Sequence, residues 1–302
     1  MCVLCLFCSL YYHLFNRAFG ETEVTAEAVQ QYVEVCNAEM RSVAAAVCAS
    51  DPDENENFIK SDCSSDAIII AICTPLMKCV HKMIPHSGEL VFMDAGGNMD
   101  RQNTRVFLLL THSAAGGLPL GVLIVSNEQC NTISAALHLY MTLLDSECFG
   151  GRGATGPVIF MTDDSAAERN ALNTVFPEST LLLCAFHMLQ AYWRFLWDHK
   201  SNVKKEHRQQ LFAVLKCMLY ASSGDHLDEC FSNAVCDPLL QLHPKLLAHV
   251  QSLYDRRSEW ALNVLCAAGQ ICQFMVITPT TTVRAQWGWW KTRYCIAPRP
   301  SM

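Results

Sequence analysis

The sequence predicts a mixed α/β fold: a five-stranded sheet, its first three strands antiparallel and the rest parallel, with flanking helices and an all-helical insertion. Two features of order predict it. Three short apolar runs follow one another with only turn residues between them, and strand-like and helix-like stretches then alternate until the pattern turns wholly helical from about Asn202. A third observation is bulk composition. At 51% hydrophobic and 17% charged residues over 302 positions, the chain has the apolar surface to bury a sizeable core and too little charge for a disordered one.

Taken in order, Glu21 to about Ala49 repeats Val29, Val33, Cys36, Met40, Val43 and Val47 at spacings of three and four, which is helical. Asp51 to Ser65 is rich in Asp, Glu, Asn and Ser and reads as a linker. Glu89–Ala95, Val106–His112 and Leu118–Ser126 are the three hairpin-linked strands, the last two joined by Ala-Ala-Gly-Gly. Cys130 to Ser146 has helical spacing at Ile133, Leu137, Tyr140, Met141 and Leu144, and serves as a right-handed crossover. After the Gly-rich break from Gly150 to Gly156, Pro157–Thr162 is a fully apolar strand ending on Asp163. Asp164 or Ser165 then caps a helix over Ala166–Val175, which Pro177 stops. Thr180–Phe186 is the fifth strand, Met188–Trp197 a helix with aromatics on one face, and Asn202–Trp260 a helical region broken near Gly224 and Pro238. The domain boundaries follow: a helical and linker region over 1–86, the sheet-bearing core over 87–200, the insertion over 201–262, and a tail over 263–302.

Charge and cysteines narrow the function classes. A net charge of −7 has the wrong sign for a protein that binds nucleic acid through its bulk field, so DNA contact is expected to be local or supplied by a module outside this chain. The seventeen cysteines are scattered and odd in number, and several sit in apolar runs, as Cys73 and Cys184 do. They read as reduced thiols of an intracellular protein rather than as a disulfide framework. Cys2, Cys5 and Cys8 have metal-ligand spacing but no second ligand cluster follows, so they read as apolar packing. The apolar stretch from Met1 to Phe15 lacks a basic leader and is, at roughly 15 residues, too short to span a bilayer. No membrane association is expected.

Asp94 and Asp163 carry the chemistry. Each closes a strand at its C-terminal end, the edge where α/β sheets place ligands. If the two strands are neighbours, two carboxylates meet at the rim, an oxygen donor set suited to hard cations such as Mg²⁺ or Mn²⁺. Two such ions activate a water or a 3′-hydroxyl and stabilise the leaving oxygen of a phosphodiester. Either aspartate taken alone reads better as an ordinary strand-end or helix-capping residue.

From Asp163 onward the chain runs Thr-Asp-Asp-Ser, Ala-Ala-Glu-Arg-Asn-Ala, Val-Phe-Pro, Leu-Leu-Cys-Ala-Phe-His and Gln-Ala-Tyr-Trp-Arg-Phe-Leu-Trp. This succession resembles the Mutator-like element (MULE) transposase domain of the ribonuclease H-like, DDE transposase superfamily. The resemblance spans Ser87 to about Leu262, more than half the chain. It implies a ribonuclease H-like sheet, metal-dependent cleavage and joining of transposon ends in nuclear DNA, and Mg²⁺ or Mn²⁺ as cofactor. It makes Asp94 and Asp163 the first two catalytic, metal-holding carboxylates, with Asp164 as fallback for the second. Cys184 and His187 correspond to the family's Cys-x-x-His. That pair reads as a shaped wall of the site rather than as zinc ligands, because no second pair stands at zinc-finger spacing. Trp193 and Trp197, one helical turn apart, could stack on a base but fit ordinary helix packing better. A homo-oligomer is compatible with this reading.

The family's third acid, a Glu in a segment like Thr-Asn-Asn-x-x-Glu, has no counterpart in place. The resemblance stops after Ser258, Glu259, Trp260, Ala261 and Leu262, and Ile277–Trp290 strings threonines and tryptophans together without period. Reading each codon from Ile277 two bases later permits His-Thr-Asn-Asn-Tyr-Cys-Glu-Gly-Ser-Met, with the Glu straddling the codons of Val283 and Arg284. Residues from Asn263 are therefore expected to be an out-of-frame tail, entered between Leu262 and about Ala267, and the enzyme to be defective as written. Glu259 is a weak stand-in for the missing acid. The rival expectation is a domesticated, non-catalytic binding protein, which the acidic charge favours.

Overall fold

The computed structural model describes residues 25–48, 56–63, 67–96, 104–113 and 116–261. The N-terminal apolar stretch with Cys2, Cys5 and Cys8, and the tail from Asn263, lie outside them. The described residues fall into two compact units that meet in sequence between Leu181 and Leu182.

The first unit is built on a mixed sheet of seven strands in the order β1-β2-β5-β4-β3-β6-β7. These are β1 (Ile59–Asp62), β2 (Ile69–Ile72), β3 (Leu90–Gly96), β4 (Arg105–Ser113), β5 (Gly116–Val125), β6 (Ile159–Thr162) and β7 (Thr180–Leu183). All five expected strands are present, β3 to β5 antiparallel in sequence and β6 parallel to β3. The expectation of five strands is corrected to seven by β1 and β2, which extend the sheet beyond β5. β1 falls in the stretch read as linker because its sequence, Ile-Lys-Ser-Asp, has no apolar period; pairing makes it a strand. The last strand ends at Leu183, three residues short of the expected Phe186.

Helix α1 (Ala26–Cys48) packs on β1 and secures that edge. Asn37, buried in α1, accepts from the backbone N–H groups of Phe58 and Ile59 at 2.8 and 2.9 Å and donates to the Ile59 carbonyl at 2.8 Å. A short polar edge strand thus gains backbone partners from a helix side chain instead of from another strand. Helix α2 (Pro75–Met83) begins at a Thr74 cap with Pro75 in its first turn. Helix α3 (Cys130–Met141) lies against β2 and β5, and α4 (Ala166–Val175) packs on α3.

The β4–β5 register shifts between Leu109, opposite Gly121, and Leu110, opposite Pro119, so Leu120 is left as a bulge. Pro119, which has no N–H to give, is tolerated there. The freed Leu120 carbonyl accepts from the Tyr140 hydroxyl at 2.8 Å, and Tyr140 in turn meets His81 Nε2 at 2.7 Å. The Phe149 N–H donates to His81 Nδ1 at 3.2 Å. This chain of donors requires a neutral His81 protonated on Nε2, and burial lowers its pKa from 6.5 to about 4. Gly121 is needed beside it, because a Cβ there would run into the Tyr140 ring.

The second unit is helical: α5 (Ala185–Trp197), α6 (Arg208–Leu219), α7 (Gly224–Cys236) and α8 (Pro244–Asp255), closed by Trp260. The breaks fall where Gly224 and Pro238 predict them, capped by Ser223 and Asp237. Tyr192, Leu196, Leu211, Leu215, Leu246 and Val250 form its core. A Cys217–Cys230 bond ties α6 to α7, an exception to the expectation of reduced thiols. Helix packing sets that pairing, with the two Cα atoms 6.1 Å apart, and local sequence carries no trace of it.

Candidate metal site at the sheet edge

The register of β3 against β6 pairs Leu90 with Ile159, Val91 with Phe160 and Phe92 with Met161. Carried two residues further along both strands, it sets Asp94 level with Asp163. β6 itself ends at Thr162, so Asp163 is the first residue after it. Both are partly buried. The condition that their strands be neighbours is met, and the strands run parallel, so both C-terminal ends reach the same rim.

The chain just after Asp163 is locally tied. The Ser165 N–H donates to Asp163 Oδ1 at 2.9 Å, and the Ser165 hydroxyl accepts from the Glu168 N–H at 3.4 Å as the cap of α4. Of the two residues proposed for that cap, Ser165 fills it. Asp164 is exposed.

Helix α4 also delivers a residue that sequence reasoning missed. Glu168, in the first turn, is only 1% exposed, and neither carboxylate oxygen has a hydrogen-bond partner. Burial pushes its pKa from 4.5 up to about 9, and the charges of Asp163, then Asp94, then Glu128 push the same way, with Arg169 opposing. Glu128, just past β5, is already paired with Arg105 at 3.1 Å. A Glu at the third position of a predicted helix reads as a capping residue, and no periodicity announces that it is buried.

Residues 93–191 match the MULE transposase domain family. The match begins one residue before Asp94 and takes in Asp163, Glu168, Cys184 and His187. No curated protein matches the chain. Within the MULE match, Cys184 is the N-cap residue of α5 and His187 stands in its first turn, where the Phe186 and His187 rings lie edge to face at 5.4 Å. Trp193 and Trp197 are 39% and 47% exposed, but Trp193 packs edge-on against Phe212 and Arg208 lies 4.2 Å over the Trp197 ring. Both faces are thus partly used by the protein itself. Glu259, beyond the match, is gripped at both oxygens by Arg256, at 3.0 and 2.9 Å.

Among the described residues, two other groups have ligand atoms within 4.8 Å of one another and so could hold a metal ion: His86/Glu89/His112 and Cys217/His226/Cys230. The cysteines of the second are bonded to each other. In the first, His86 Nδ1 pairs with Glu89 Oε2 at 2.8 Å and the two histidine rings stack at 4.5 Å. That group stands at the other end of β3, since Thr111 pairs with Val91. The carboxylates of Asp94, Asp163 and Glu168 are spaced more widely than this. The carboxylates of Asp94 and Asp163 are oxygen donors of the kind that suits a hard cation keeping part of its water. Among the described residues no helix is long and apolar enough to cross a membrane.

Proposed function

We propose that this chain is the core of a MULE-type DNA transposase with a ribonuclease H-like catalytic sheet, in which Asp94 and Asp163 hold divalent metal. The observation that supports the reading is that β3, which carries Asp94, and β6, which Asp163 directly follows, are parallel neighbours inside the stretch that matches the MULE domain. Bound Mg²⁺ or Mn²⁺ supplies activation of the attacking oxygen and stabilisation of the leaving one. The protein's own part is to present carboxylate oxygens at fixed positions. The Ser165 N–H holds Asp163 through Oδ1, which leaves Oδ2 for a cation. As written the chain lacks the family's third glutamate, so the second ion is unheld and strand cleavage fails. DNA-end recognition belongs to a module beyond this chain, and the protein acts in the nucleus.

A non-catalytic, domesticated binding protein is the second reading, favoured by the net charge of −7. Mg²⁺- or Mn²⁺-dependent nicking of transposon-end DNA distinguishes them, with a DNA-binding module supplied. The reframed chain should nick, and the chain as written, or the reframed chain with Asp94→Ala or Asp163→Ala, should not. Equal nicking by the written and reframed chains would refute the missing-glutamate account.

A further inference from the structure

We propose that His86, Glu89 and His112 form a second metal site, at the end of β3 away from Asp94, that takes a borderline transition-metal dication of the Zn²⁺ class. The proposal is independent of the cation reading of the two aspartates.

Local structure brings the three side chains together. Pro85–Gly88 is a 3₁₀ turn with Glu89 as its C-cap. At three residues per turn, side chains three apart stand above one another, so His86 and Glu89 share a side. They meet through His86 Nδ1 and Glu89 Oε2 at 2.8 Å. His112 comes from β4, which packs against that turn, and its ring stacks on that of His86 with centroids 4.5 Å apart. One ligand atom from each of the three lies within 4.8 Å of the others.

The backbone under each ligand is fixed. The Glu89 N–H donates to the His86 carbonyl at 3.1 Å, and the Glu89 carbonyl accepts from the Ile159 N–H at 3.0 Å. Between the two, Ser87 is buried with its hydroxyl donating to the His81 carbonyl at 3.0 Å, and Gly88 has no room for a Cβ against the Phe149 carbonyl. His112 is flanked by Thr111 and Ser113, whose hydroxyls donate to the Leu90 and Gly116 carbonyls at 3.0 and 2.8 Å. Only side chains are left to order when an ion arrives.

Ion pairing by itself explains less. A half-exposed His–Glu contact contributes little and involves two of the three residues. It does nothing for His112, whose Nδ1 is buried without a hydrogen-bond partner. Zn²⁺ bonds nitrogen and oxygen at about 2.0–2.2 Å, which sets tetrahedral ligand atoms about 3.4 Å apart. The observed spacing therefore needs shifts of about an ångström, and the His86 and Glu89 side chains, 49% and 40% exposed, have that freedom. Two imidazoles and one carboxylate leave the fourth position to water. Imidazole suits Zn²⁺ and not Mg²⁺, so this site differs in ion from the all-oxygen donors of Asp94 and Asp163. It differs in place too, since five residues of extended chain put Glu89 roughly 17 Å from Asp94.

The test titrates Zn²⁺ into the full chain as written, ¹⁵N-labelled at histidine, and follows the imidazole nitrogens by NMR, with His86→Gln and His112→Gln each identifying one ring. The His86 and His112 signals should move together with a single midpoint. Glu89→Gln should weaken that response about tenfold or more, and excess Mg²⁺ should leave both rings unmoved. Zn²⁺ taken up by cysteines with both rings unmoved, rings that respond at different midpoints, or an unchanged midpoint in folded Glu89→Gln would each overturn the site. Should a variant not fold, the unsubstituted chain decides, because two histidine rings must share one midpoint and a response from fewer than two would overturn the proposal.

Discussion

Asp94 lies on β3 two residues beyond Phe92, and Asp163 follows parallel β6 two residues beyond Met161, the partner of Phe92. Parallel pairing is what makes this possible. An antiparallel β6 would carry Asp163 to the far end of β3, roughly the length of the strand away.

The first prediction follows from that placement. Saturating Mn²⁺ should raise the Tm of the chain as written, since a ligand at about a hundred times its Kd adds about 2.7 kcal/mol to the folded state. Asp94→Ala and Asp163→Ala should each erase the rise while leaving a cooperative unfolding transition. Retention of the full shift in both variants, measured by calorimetry, would remove the cation from this edge.

His81 sets a pH dependence. Its folded pKa of about 4 lies below the ordinary 6.5, so on acidification the unfolded chain takes up a proton that the folded chain refuses. The stability attached to a neutral His81 is complete above about pH 6.5, falls as pH drops toward 4 and is level below, a change of about 3 kcal/mol. The charge of Asp145 works weakly against this, and the backbone contact at Leu120 also favours the protonated form. Histidine ¹³Cε1 shifts followed by NMR should show His81 neutral at pH 5; titration near 6.5 would mean that the Tyr140 network is absent.

Gly121→Ala should destabilise the first unit by about 2 kcal/mol, as overpacking of a tight core does. The added methyl meets the Tyr140 ring and displaces the hydroxyl that joins Leu120 to His81. Urea unfolding of Gly121→Ala alone and combined with Tyr140→Leu checks the cause, because the smaller side chain should make the alanine nearly neutral.

Asn37→Ala should cost about 2 to 3 kcal/mol, since it strips partners from the Phe58 and Ile59 N–H groups and the Ile59 carbonyl at once. Hydrogen exchange at Phe58 and Ile59 should speed up before that of β4 and β5. Uniform acceleration across the sheet would instead place Asn37 in the global unfolding unit.

Sequence alone carried the elements whose signal is local. Apolar runs ending in acids placed β3 and β6, alternation of run and turn placed β4 and β5, and motif order identified the MULE segment before any coordinate. It also singled out Asp94 and Asp163 as candidates, because a strand end is visible in one dimension. Tertiary structure alone decided what depends on partners far along the chain. β1 is a strand because β2 and Asn37 supply its hydrogen bonds, and the Leu120 carbonyl is free because a bulge opposite Leu109 releases it. Glu168 looks like a solvent-facing residue of a helix start, yet it is 1% exposed in the fold, where α4 packs on α3. Hydrogen bonding and apolar period are encoded over a few residues, whereas the desolvation of a charge is a property of everything that surrounds it.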